Sequence, residues 1–157
     1  MRFLILLLSI QCQPTTAQGV IPHQYALMVL NYCAETGIPV YIAVGMATEE
    51  SKWNPMAKGY SKPDKHGKRH LVAGGLFQLN FSCHDEFREK YNGGKEFSEY
   101  DPEANTRIAL RYLASLVKRF GKFRPALNYF NAGYPAGVIR SVRETVSREL
   151  EGVWSVS

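Results

Sequence analysis

The segment PVYIAVGMATEESKWNP, residues 39–55, carries no charge over its first ten positions and then sets two carboxylates, Glu49 and Glu50, side by side. Pro39 suits a first helical turn. The run to about residue 52 is apolar on nearly every side, which predicts a helix buried in the middle of the molecule. Such a helix ends by holding an acid against apolar neighbours. Glu50 shares a face with Ala43, Met46 and Ala47, and Glu49 with Ile42, Gly45 and Met46. Periodicity alone therefore does not choose between them. The plain alternative is a helix end that emerges into water.

Outward from this segment the chain reads as more helices. Pro22 opens a helix over 23–36, with Ala26, Val29, Leu30 and Cys33 as its apolar face and Gly37 as its stop. Residues 58–72, KGYSKPDKHGKRHLV, gather Lys58, Lys62, Lys65, Lys68 and Arg69 among glycines and a proline, and predict a solvent-exposed loop or irregular ribbon. Gly74 and Gly75 permit tight turns. A short helix is expected over 83–91, before Asn92-Gly93-Gly94. Residues 101–121, DPEANTRIALRYLASLVKRFG, form the clearest helix: Asp101 caps, Pro102 suits the first turn, Ile108 to Phe120 carry the stripe and Gly121 stops it. Pro125 begins another helix through Phe130. A last one follows Pro135, with Val138, Val142, Val146 and Leu150 on one side. The expected fold is mainly α: one helical domain with a buried central helix and an irregular or short-β segment beside it.

The 157 residues suit one domain, and 45% hydrophobic content supports a core. The net charge of +5 fits nucleic acid, an anionic polymer or a membrane surface equally, and alone decides nothing. MRFLILLLSI followed by QCQPTTAQG reads as a secretory leader over residues 1–17, with Thr15 and Ala17 at cleavage positions, leaving a domain over 20–150. Its apolar run is too short to span a bilayer as a helix. A rival reading makes Cys12 a lipidated N-terminus, against which stands the large Gln11. After export Cys33 and Cys83 remain. They either pair or pack as separate buried thiols. Neither lies in a Cys-x-x-Cys motif. His66 and His70 are four apart near Asp64, but glycine and proline argue against the helix that spacing would need, so no metal is expected.

Apolar surroundings penalise the charged form of a carboxyl and raise its pKa. An acid still protonated near neutral pH can donate to a glycosidic oxygen. EESKWNP resembles the Glu-Ser motif of the soluble lytic transglycosylase family, a lysozyme-like α+β fold that cleaves peptidoglycan. GGLFQLN resembles its Gly-Leu-Met-Gln block through Gly75, Leu76, Phe77 and Gln78. The helix from Asp101 resembles its Asp-Pro-x-x-Asn block through Pro102 and Asn105. ALNYFNAG resembles its Tyr-Asn-Ala-Gly block through Ala126, Leu127, Asn131, Ala132 and Gly133. Four blocks in order make a specific set. Two departures stand out: Phe130 replaces the usual tyrosine, with Tyr129 beside it, and the basic segment after Ala57 is longer than the family's turn.

The resemblance implies Glu50 as the catalytic acid. Ser51, Gln78, Tyr129, Asn131, Gly75 and Phe77 become substrate-binding candidates, and Trp53 a further flat face for sugar. It implies cleavage of the bond between N-acetylmuramic acid and N-acetylglucosamine with a 1,6-anhydro product, no cofactor and no metal. Glycan strands are then the partner, and nucleic acid is not. The place of action is the periplasm or cell envelope, and the state a monomer. A chain this small implies local wall opening for a secretion, conjugation or pilus apparatus, or for a phage. Two alternatives stay open: a hydrolytic muramidase of the goose-lysozyme kind, and a wall-binding assembly protein of low activity. Asp64, Asp85 and Glu86 are the candidates for a second carboxylate, and none stands at a recognisable position.

Overall fold

The computed structural model describes residues 21–130. The leader at 1–17, Cys12, Asn131, Ala132, Gly133 and the helix expected after Pro135 lie outside the described residues.

Helix α1 (His23–Thr36) ends where Gly37 adopts a left-handed conformation and returns its N–H to the Cys33 carbonyl. Its inward face is Tyr25, Val29 and Cys33. Leu30, expected on that face, is exposed, as is Leu27. Helix α2 (Val40–Ser51) is the central helix: every residue from Ile42 to Ala47 is buried. It stops abruptly because Lys52 and Trp53 both take positive φ, 50° and 64°. That conformation is disfavoured for residues with a Cβ. Two contacts hold it: the indole Nε1 of Trp53 donates to Thr48 Oγ1 at 3.1 Å, and its ring stacks on Tyr25.

Of the loop or irregular ribbon expected, the basic segment is the ribbon, a short antiparallel hairpin. Strand β1 (Lys58–Tyr60) pairs antiparallel with β2 (Leu71–Gly74), with an irregularity between Gly59 and Tyr60, and β2 pairs with β3 (Leu79–Asn80). A 3-10 turn (Phe81–Cys83), capped by the Asn80 side chain on Ser82 N, leads into α3 (His84–Tyr91). Helix α4 (Pro102–Phe120) is the long organiser and packs on α1, α3 and α5 (Phe123–Phe130). Helix α5 begins two residues before Pro125, which sits in the first turn, where backbone N–H groups have no partner within the helix. The core joins Val29, Met46, Leu76, Phe77, Ile108 and Leu113 from four different segments.

Candidate active site

A cleft of about 660 Å³ opens between the end of α2, the three-stranded sheet and the α3–α5 helices. That size suits a few sugar-sized groups. Glu50 lies in its lining and is half-buried, whereas Glu49 is exposed on the helix end. Packing thus separates two acids that periodicity left equivalent. The walls around Glu50 include the apolar side chains of Val72, Leu79, Phe87 and Phe130. Glu50 is the only carboxylate among the described residues that line the cleft. Asp85 pairs with Arg88 and Glu86 with Lys90 on the outer face of α3. Asp64 sits at the hairpin tip, where its Oδ1 accepts from the N–H groups of His66 and Lys68. Those two bonds, with His70 beside them, hold its carboxyl below the ordinary range.

Gln78 lines the cleft from a strained turn, with φ at 49°. Its Nε2 donates to the carbonyls of Ala57, at 3.1 Å, and Gly75, at 2.8 Å. A side chain on Gly59 would collide with its Oε1. The amide therefore ties β1 to the turn as well as facing the cleft. Tyr129 also borders the cleft, at its rim, with its ring against Phe120 and the Arg119 guanidinium 5.2 Å above it.

Three expected ligand residues sit elsewhere. Phe77 is fully buried in the core. Ser51 is buried too, and its hydroxyl donates back to the Ala47 carbonyl, as a helix-terminal serine often does. Gly75 is buried, with φ at 84°, and a Cβ there would strike the Glu99 carbonyl oxygen and the Asn105 amide. Its neighbour Gly74 is crowded by Tyr100 and Phe81. These two glycines admit the chain's own loop and helix, not the approach of a ligand. Trp53 is likewise spent on Tyr25 and Thr48. Cys33 and Cys83 do not pair: both thiols are free. Cys33 is buried in the core on α1, and desolvation pushes its pKa up to about 11. Cys83 borders the cleft. Among the described residues no group of three His, Cys, Asp or Glu side chains could hold a metal ion, and His70 Nε2 instead meets Asp64 Oδ2 at 3.2 Å.

The roles of two residues were not legible in the sequence. Tyr112 appeared only as part of the α4 stripe, yet it lines the cleft with its ring 5.2 Å from Phe130. Burial, then the nearby Tyr129, raises its pKa to about 12, so its hydroxyl keeps its proton at neutral pH. A stripe residue at a cleft edge looks the same in sequence as one in the core. The second is Asn105, fully buried on α4. Its Oδ1 accepts from Phe77 N at 2.8 Å, and its Nδ2 donates to the carbonyls of Gly74 and Glu99 at 3.1 and 2.7 Å. One amide thus binds the Gly75–Gln78 turn to the loop before α4. The second and third sequence blocks are two halves of one clasp behind the cleft.

The sequence profile described as Transglycosylase SLT domain matches residues 28–149. Among solved structures, the 70 kDa soluble lytic transglycosylase Slt70 from Escherichia coli superposes with a TM-score of 0.54 at 26% identity, over 79% of this chain and 19% of that one. A complex of the 70 kDa soluble lytic transglycosylase with bulgecin A gives 0.57 at 25% identity, over 81% and 19%. An inactive mutant of the lytic transglycosylase Slt from Pseudomonas aeruginosa gives 0.53 at 20% identity, over 76% and 18%, and shares the fold. The chain thus spans about a fifth of the length of these structures. No curated protein matches it.

Proposed function

Because the chain belongs to the transglycosylase SLT domain family, we propose that it is a peptidoglycan lytic transglycosylase with Glu50 as its single acid and base. The observation that carries this reading is that Glu50 is the only carboxylate among the described residues of the cleft. A glycosidase that hydrolyses through two carboxylates needs a partner across the sugar, and Asp64, Asp85 and Glu86 are committed elsewhere. In the proposed reaction Glu50 protonates the oxygen between N-acetylmuramic acid and N-acetylglucosamine, and the C1–O bond breaks. The substrate's acetamido group stabilises the positive charge at C1. Glu50, now ionised, takes the proton of the C6 hydroxyl as O6 bonds to C1. The proton lost is regained, no water is consumed, and a 1,6-anhydro end results.

The cycle starts from the neutral carboxyl, a state that apolar surroundings favour in general. Gln78 and Tyr129 are the described residues proposed to meet the glycan, the first through its amide and the second through its ring face. Ser51, Gly75 and Phe77 act behind the cleft, as support. The work would take place in the cell envelope, where the substrate lies, in keeping with the leader expected at residues 1–17.

Digestion of purified sacculi followed by mass spectrometry tests the proposal. The chain should release anhydro-muropeptides, each one water lighter than a hydrolysis product. Glu50→Gln should cut the rate by roughly 10²–10⁴-fold, as loss of a positioned acid–base group does. Reducing-end products would instead make the chain a muramidase. Wall binding with no turnover by either protein would make it a binding module.

A further inference from the structure

The hairpin beyond the cleft is strongly basic and has no role in the mechanism. Between residues 58 and 70 it carries Lys58, Lys62, Lys65, Lys68 and Arg69 against Asp64 alone, which is four of the chain's five net positive charges. Its base belongs to the cleft, since Gly59, Tyr60, Val72 and Ala73 all line it. From Tyr60 to Lys65 the strand can reach about 16 Å further at the usual rise per residue.

This ribbon has built structure to its tip. Ser61 N donates to the His70 carbonyl at 2.8 Å and Asp64 N to the Lys68 carbonyl at 2.9 Å. The single acid is consumed inside the turn, by two backbone N–H groups and by His70. Arg69 is occupied as well, by the Ser61 carbonyl and the Tyr60 ring. The remaining cations, Lys58, Lys62, Lys65 and Lys68, are exposed and form no salt bridge with the described residues. A turn that neutralises its own carboxylate and leaves its lysines outward is an ordered cationic lip on the cleft.

We propose that this lip binds the carboxylates of the peptide stems borne by the glycan strand in the cleft. The proposal rests on the peptidoglycan reading above. A strand lying along the cleft leaves its stems outside, where the sugar-binding walls end and the lysines begin. Stem carboxylates are the anions tethered to that substrate, so the lip adds affinity for peptide-bearing wall over bare glycan.

The test uses the whole chain and a triple variant, Lys62→Gln, Lys65→Gln and Lys68→Gln. These side chains are exposed, so the melting temperature should not move. Co-sedimentation is measured on intact sacculi and on sacculi whose stem carboxylates have been converted to amides with a carbodiimide and ammonia. With each exposed ion pair contributing little, the variant should bind intact sacculi about tenfold more weakly at low salt. The gap should close as salt rises. Both proteins should bind the amidated sacculi equally, and the matching triple Lys→Arg variant should retain wild-type binding to the intact ones. Equal loss on both substrates, or none on either, overturns the proposal. So does lysine-dependent binding only to phosphatidylglycerol vesicles or to duplex DNA. Product analysis with Glu50→Gln is read separately, so failure of the enzymatic reading is distinguishable from failure of the lip.

Discussion

Asn105 shows how much one side chain carries here. It has no exposure and satisfies the Phe77 N–H and two carbonyls from segments that are distant in sequence or follow an irregular path. Asn105→Ala leaves these groups buried and unpaired, and should cost about 3 kcal/mol. Urea denaturation should show a lower midpoint with an unchanged slope. The sequence marks Asn105 through its resemblance block, but no local rule says that two of its partners, Phe77 and Gly74, lie 28 and 31 residues earlier. The same limit applies to the acids. Glu49 and Glu50 are adjacent and have similar apolar neighbours along α2, so periodicity does not rank them; the Glu-Ser resemblance points to Glu50, and Glu50 is the one that lines the cleft. It also applies to Gly75, whose glycine was legible as a turn, while the Glu99 carbonyl and the Asn105 amide pressed against it were not.

At the level of elements, helix limits were the most readable feature. The signals that start and stop helices are local, as at Gly37 for α1 and at Asp101 and Gly121 for α4. Asp101 accepts from Glu103 N at 2.9 Å and Ala104 N at 3.3 Å. Asp101→Ala should destabilise by about 1 kcal/mol, the usual cost of losing such a cap, measured as a lowered melting temperature. Helix α4 also carries a polar seam that its stripe does not announce. Arg107 donates two bonds to Asn92 Oδ1, and Arg111 reaches Glu35 at 2.6 Å and the Tyr91 carbonyl at 2.9 Å. These bonds join α4 to the ends of α1 and α3. The hairpin was less legible. Its strands are three and four residues long, each holds a glycine and Pro63 lies between them, so they are too short to show the alternation that identifies a strand. Their pairing depends on β3 and on the Gln78 amide, which fastens Ala57 next to β1.

On the scale of the molecule, the cleft is one surface of a domain closed by contacts that span the chain. One of them is protonic. His84 Nδ1 lies 2.7 Å from Glu99 Oε1 and its ring stacks on Phe97, while Nε2 faces Glu96 at 3.4 Å. The bond to Glu99 raises the imidazole pKa above its ordinary 6.5, outweighing the opposing effect of burial. The folded protein thus binds this proton more tightly than the unfolded chain does. The contact stabilises fully below about 6.5, and its contribution disappears as pH rises through the folded value. Unfolding free energies measured across that window should fall with rising pH in the wild type, and the fall should flatten in His84→Gln. An unchanged slope in the variant would assign the pH dependence to other groups. Glu99 sits between this histidine and the Asn105 clasp, so the same loop links the proton site to the back of the cleft.

The sequence by itself determined a mainly helical domain, its buried central helix, the helix ends and the order of four blocks. The first three rest on periodicity, caps or spacing, which act over one or two turns, and the blocks rest on a resemblance to a known family. Tertiary structure alone decided that Glu50 faces the cleft, that Phe77 and Gly75 stand behind it, that Tyr112 borders it and that the basic segment is a paired ribbon. The physical reason is that a helix carries its pattern within itself but not its rotation against neighbours. That rotation is set by packing and hydrogen bonds from segments far along the chain, such as Asn105 to Phe77, which no short window of residues contains.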